Sequence, residues 1–185
     1  MGGILTALLG SYAPALTGSF ESIATATVSS SSNFVEFTSI PSTYTHLQIR
    51  GVSRSTDSSQ YFCQFNGDTS ANYTFHTLGG NGSAMEPYGA ISQTSLQIGK
   101  SNYFASASTM LAMGICDIFD YKNTNKYKTV KVLAGTETNG TAGQNVVLMS
   151  GIWRSTAAIT SIKVFPSSPP FTQYSEFALY GIKGA

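Results

Sequence analysis

The chain reads as all-β: an antiparallel two-sheet sandwich, jelly-roll-like in its number of strands, preceded by a short N-terminal anchor segment. Three observations lead there. From Phe20 onward, short apolar stretches alternate with Ser, Asn, Gly and Pro at intervals that suit strands and leave no room for long helices. Several stretches alternate with a period of two, as in Tyr61, Cys63 and Phe65, or Val130 and Val132 around Lys131. Such alternation belongs to half-buried antiparallel strands. No helical periodicity of useful length and no fixed-period repeat appears in the body, which argues against βαβ units, propellers and β-helices.

At 185 residues the chain suits one core, and its 42% hydrophobic and 12% aromatic content supplies ample surface to bury. About ten strands are expected. The first are Phe20 to Val28 and Phe34 to Phe37, on either side of the serine run Ser29 to Ser32. His46 to Arg54, Gln60 to Asn66 and a weaker stretch at Tyr73 to Leu78 follow. The second half predicts strands at Ser95 to Ile98, Leu111 to Phe119, Lys128 to Thr138, Asn145 to Arg154, Ile159 to Phe165 and Glu176 to Ile182. In His46 to Arg54, Leu47 and Ile49 share one parity and Val52 falls on the other, so a β-bulge at Gly51 is expected to restore the phase. Leu111 to Phe119 is apolar at both parities, which suits a central strand or one beneath an inter-subunit contact. The glycine-containing stretches Leu78 to Ser83 and Thr138 to Gly143 read as mobile surface loops, and the longer stretch from Leu78 to Lys100, with Pro87, as the place for exposed contact residues.

Only 10% of residues are charged, against roughly 25% in an average soluble domain, while Ser and Thr together number 47. A surface of hydroxyls and amides repels its neighbours weakly and suits a subunit packed among others. The ten basic residues are scattered singly at a net charge of +1, so no patch supports nucleic-acid binding. Cys63 and Cys116 sit in apolar runs and read as small buried hydrophobes; without a CxxC, no thiolate metal site is supported.

Residues 1–19 differ from the body at 20–185. Ile4, Leu5, Leu8 and Leu9 fall along one helical face between glycines, ahead of Pro14. About two turns of helix are marginal alone in water and need something to dock against, whether an end of the same sandwich or another chain. The run is too short to span a membrane, and Met1-Gly2-Gly3 lacks the basic start of a secretory signal.

The titratable groups offer little for catalysis. Four Asp, five Glu and two His are present, and neither His46 nor His76 has neighbours at the spacing of a triad or a metal motif. Asp117 and Asp120 are better explained as strand-end and turn residues than as the start of a calcium site. No catalytic, cofactor or metal site is predicted, and an enzyme would require distant acids such as Asp68, Asp117, Asp120 and Glu137 to converge. Phe65-Asn66-Gly67-Asp68 is a tight-turn signal. Beside it, Asn66, Asp68 and Asn72 with the rings of Tyr73, Phe75 and His76 form a candidate glycan platform, weighed against a loop that fixes strand register.

Four phrases recur in order along the body: Ile40-Pro41-Ser42-Thr43-Tyr44-Thr45-His46-Leu47, the Asn66-Gly67 turn, Tyr121-Lys122-Asn123-Thr124-Asn125-Lys126-Tyr127-Lys128, and Gly151-Ile152-Trp153-Arg154-Ser155-Thr156-Ala157-Ala158-Ile159. The closing strand Phe177-Ala178-Leu179-Tyr180-Gly181-Ile182-Lys183 completes them. Together they resemble uncharacterised virion structural proteins of tailed bacteriophages, including phages of cyanobacteria, from about Phe34 to Ala185. The resemblance implies a non-enzymatic, homo-oligomeric component of the virion, assembled in the host cytoplasm among other virion proteins. A tail-fibre or baseplate-fibre subunit attached through residues 1–19 is the expectation, with a capsid decoration protein or a module for host-surface glycans as alternatives. The closing strand is expected to seal a sheet edge.

Overall fold

Period-two sequence becomes period-two burial. In the computed structural model, which describes residues 18–55, 59–101, 112–137, 145–168 and 170–184, Lys128–Thr136 and Asn145–Trp153 both bury every second residue from end to end. Among the described residues there are fourteen strands and no helix. In chain order they are β1 (Phe20–Thr27), β2 (Ser31–Ser32), β3 (Val35–Phe37), β4 (His46–Ser53), β5 (Ser59–Phe65), β6 (Tyr73–Gly80) and β7 (Met85–Gln93). The remainder are β8 (Leu96–Ser101), β9 (Ala112–Phe119), β10 (Lys128–Thr136), β11 (Asn145–Trp153), β12 (Ile162–Pro166), β13 (Phe171–Thr172) and β14 (Glu176–Ile182).

The strands form an antiparallel two-sheet sandwich. A large sheet has the order β1-β14-β4-β9-β10-β11-β6-β7, and a small one the order β3-β12-β5-β8. The pair β13-β2 makes a short third ribbon. Strand β8 lies across the middle of the large sheet, against β6, β9, β10 and β11. One core fills the space between, with Leu47, Ile118 and Val130 from the large sheet and Phe65, Ile162 and Val164 from the small one, all fully buried. Cys63 and Cys116 are both free and buried in it, and burial pushes both thiols well above their ordinary pKa.

Several sequence expectations change on contact with the pairing. No bulge occurs at Gly51, because β4 keeps continuous register with β14 and β9 through that residue. Gly51 serves instead as a gap for the Phe177 ring, whose Cδ1 would stand 2.8 Å from an added Cβ. Val52 is therefore left pointing outward. Residues 85–93 form a strand rather than a loop, paired with β6 and lying at the edge of the sheet. Its turn is held by Asn81, whose Oδ1 accepts from the backbone N–H of Ser83 and Ala84, both at 2.9 Å. The closing strand β14 seals no edge, since it runs between β1 and β4, and β1 takes the edge. Residues 138–143 lie outside the described residues.

Gly181 marks the tightest approach in the body. The Tyr44 ring lies directly on it, so a Cβ there would fall within the ring. Tyr44 is itself tied down by its hydroxyl, which donates to Glu21 Oε2 at 3.1 Å. Gly181→Ala is expected to lower unfolding free energy by about 1–3 kcal/mol, the usual cost of overpacking a filled core. Urea titration would read this as an earlier midpoint at unchanged slope, and an unchanged midpoint would contradict the stacking described.

Candidate interaction surface

The residues that the sequence singled out meet at one end of the sandwich, where β5, β9 and β11 end and β4, β6 and β10 begin. Asn66 and Gly67 adopt positive φ angles of 53° and 67°, as a tight turn requires. The turn does not close a hairpin, because β5 and β6 belong to different sheets and the chain crosses over between them. Asn66 Nδ2 donates to the carbonyl of Ala158 at 2.8 Å, while Oδ1 accepts from the N–H of Thr160 at 2.8 Å and of Ser161 at 3.1 Å. The turn is thereby stitched to the segment between β11 and β12.

Asp68 is the hub next to it. Its Oδ2 accepts from Trp153 Nε1 at 2.7 Å and from Asn72 Nδ2 at 2.9 Å, and its Oδ1 from the N–H of Ser70 at 2.8 Å. Partial burial pushes its pKa up, but the bonds from Asn72, Trp153 and Ser70 outweigh that and hold it below the ordinary value. Tyr73 is fully buried, with its hydroxyl accepting from the N–H of Phe65 at 3.0 Å and donating to the carbonyl of Asp68 at 3.1 Å. Phe75 is buried as well. Neither the Tyr73 nor the Phe75 ring presents a face for stacking, His76 alone of the three rings is exposed, and Asp68 is bonded to both Asn72 and Trp153.

The remaining phrases join the same end. Tyr121, buried, donates its hydroxyl to the carbonyl of Pro41 and accepts through its own carbonyl from the N–H of Ile159 at 2.9 Å. Lys128, fully buried, spends its ammonium on three carbonyls: Asn123 at 2.6 Å, Lys126 at 3.0 Å and Thr156 at 3.2 Å. Burial pushes its pKa down, against an opposing pull from Asp120. Asp120 pairs with Lys126 at 2.5 Å, which holds its carboxyl below the ordinary range. His46 Nδ1 accepts from the N–H of Asp120 at 2.9 Å, while Asp117 accepts from Gln48 Nε2 at 2.7 Å. Asp68, Asp117 and Asp120 are thus each occupied locally, and Glu137 is exposed just past the far end of β10. Among the described residues, no group of three or more His, Cys, Asp or Glu is placed to hold a metal ion. No helix among them is long and apolar enough to cross a membrane.

A feature that the sequence flagged only at Leu111 to Phe119, as a central strand or one beneath an inter-subunit contact, lies on the outer face of the large sheet. Register places Arg50, Ile115, Leu133, Leu148, Leu78 and Pro87 in one row across six strands. The adjacent row is Val52, Met113, Gly135, Val146, Gly80 and Met85. Val52, Leu78, Met113, Ile115, Leu133, Val146 and Leu148 are 40–56% exposed, and Met85 is 70% exposed. A cavity of about 480 Å³ opens among them along β14, β4, β9, β10 and β11. The next row toward the motif end is polar: Gln48, Asp117, Lys131, Ser150 and His76. At the edge of the band, the Arg50 guanidinium of β4 lies 5.0 Å from the Phe20 ring centre of β1 and 5.3 Å from that of Tyr180 of β14, so it covers the face of those two strands.

No protein-family model matches the chain, and no curated protein or solved structure matches it. The band is therefore read on its own chemistry. It is a weakly charged apolar strip with a concavity among its side chains, which project from paired strands and are suited to burying another surface. Alternation could have signalled it, since Leu111 to Phe119 is apolar at both parities and Val52 breaks phase, but strand order was needed to show that these residues adjoin. Ile4, Leu5, Leu8 and Leu9 lie outside the described residues.

Asp68→Asn sets an NH₂ or a weaker acceptor against donors that need a carboxylate, and is expected to cost about 2 kcal/mol, the scale of hydrogen bonds to a charged group. The sign of its pH dependence follows from the lowered pKa. Asp68 contributes its stabilisation in full above the ordinary carboxylate value of about 3.9, and that contribution is lost as pH falls through the lower folded value. The variant should lose part of the acid limb of the stability profile, as followed by Trp153 fluorescence in urea at a series of pH values.

Proposed function

We propose that this chain is a non-enzymatic structural subunit of a tailed-phage particle, a tail-fibre or baseplate-fibre subunit held in the virion through residues 1–19. The observation that carries the reading is the apolar band on the large sheet. Exposed apolar patches of this extent are uncommon on proteins that work alone and mark surfaces that other proteins cover. Low charge and a hydroxyl-rich surface support the same reading, as does the resemblance of the four phrases and the closing strand to phage structural proteins.

The division of labour follows. The sandwich is the displayed body, stiffened at the motif end by Asp68, Lys128 and Tyr121. The N-terminal segment is the attachment device. In this arrangement the body's fold and the segment's docking are separable, because β1 begins at Phe20 and is already paired with β14 from that residue.

Deletion of residues 1–17 tests this directly. The purified body is expected to keep its unfolding transition, while particles assembled with the deleted chain lack it on immunoblots. Full incorporation of the deleted chain would defeat the anchor, and antibody labelling confined to the head would defeat the tail assignment.

A further inference from the structure

The band on the large sheet has a width, a slope of polarity and a charge pattern, and these point to its occupant. We propose that it is covered by a second copy of this chain, packed sheet face to sheet face. The inference rests on the reading of the band as an assembly surface and names the partner.

Size is the first argument. The band crosses six strands, β4 to β7 through β9, β10, β11 and β6. At about 4.8 Å between strands and about 6.8 Å between successive outward rows, the two apolar rows make a plane on the order of 400 Å², and the polar row beside them brings the face to about 600 Å² before side-chain relief is added. A standard protein interface uses about 800 Å² per partner, so the face with its polar margin is on the scale of one such contact. The N-terminal segment is too small for it. The two helical turns that its spacing suits would be about 11 Å long and about 10 Å wide, a fraction of a strip some 25 Å across.

Shape and charge supply the second. A partner must present a surface of matching width that is apolar at its centre and whose side chains enter the concavity among Val52, Met113, Leu133 and Val146, and the projecting side chains of the same face on another copy do so. Packed sheets stand about 10 Å apart with interdigitating side chains, a spacing that Leu, Val, Ile and Met side chains fill from both sides. The rim carries both signs close together, with Asp117 directly opposite Lys131 in register and Arg50 near Glu176. A face with neighbouring charges of opposite sign meets its own copy without a single-signed field to oppose it. Leu133 and Leu148 are register partners at the centre of the band. Buried central positions dominate binding energy, so these two should carry the contact.

Sedimentation of the purified full chain over a concentration series tests the proposal, with circular dichroism and thermal unfolding as a check on folding. Wild type should associate reversibly. Leu133→Glu and Leu148→Lys, both outward and exposed in the single chain, should each weaken association at least about tenfold, equivalent to ~1.4 kcal/mol, with secondary structure unchanged. The N-terminal deletion should associate like wild type. A wild-type chain that stays monomeric throughout overturns the proposal, as does association indifferent to both substitutions. Association lost on removing residues 1–17 also overturns it, since the contact would then run through that segment and not through the band. None of these outcomes depends on incorporation into particles, so self-association and the virion role stand or fall separately.

Discussion

The bond from the Trp153 indole to Asp68 is small in itself, but the joining of the two sheets depends on what it holds. Trp153 ends β11 in the large sheet, and its ring meets Phe65 of β5 at 5.5 Å and Tyr73 of β6 at 6.4 Å. Three rings from three strands, two on one sheet and one on the other, thus share one corner of the core. Each polar handle is satisfied within a single turn: Trp153 Nε1 by Asp68, the Tyr73 hydroxyl by Asp68 and Phe65. Aromatic side chains bury large apolar area, yet tolerate full burial only when such handles are paired. The Asn66-Gly67 turn therefore does more than reverse the chain. It delivers the acceptors that allow a Trp and a Tyr to sit at zero or near-zero exposure between the sheets.

Lys128 extends the same logic across the end of the molecule. A fully buried ammonium is costly unless its donors are met, and here three carbonyls from two separate segments meet all three. The loop between β9 and β10 and the one after β11 are consequently folded around one cation, and the Tyr121 hydroxyl ties in the segment before β4 through Pro41. Phrases far apart in sequence turn out to be one network. Their shared order along the chain reflects this packing at a single end, so as motifs they report a fold more than a chemistry.

How much of this was legible in advance varied with the physics involved. Apolar runs bounded by turn residues predicted β10, β11 and β14 nearly to the residue, and in β10 the alternation around Lys131 also showed which face is buried. Residues 85–93 were missed as a strand because Pro87 and Gly89 read as breakers; at an edge, Pro is tolerated, and Gly89 gives room to the His76 ring, whose Cδ2 would lie 2.8 Å from a Cβ. Tyr73 read as exposed because polar residues precede it, while its burial depends on Asp68 and Phe65 supplying partners that only the crossover brings together. Composition cannot show that. The bulge expected at Gly51 failed for an instructive reason, since it assumed that every apolar residue in a strand wants the core.

That assumption is where sequence and function part company. In a sandwich with one solvated face, an apolar residue out of phase looks like an error to be repaired by a bulge or a slip. Val52 is out of phase because its destination is the other face, and Met113 and Ile115 make the neighbouring strand apolar at both parities for the same reason. Leu133 looked unremarkable, a single apolar residue at an outward position of a well-alternating strand, while Val146 and Leu148 sit outward in a run that is apolar at both parities. Only the order β4-β9-β10-β11-β6-β7 turns these isolated exceptions into two continuous rows. A lone exposed leucine needs no explanation, whereas apolar residues aligned in register on neighbouring strands make one continuous surface, since the sandwich's own core lies on the opposite side of that sheet.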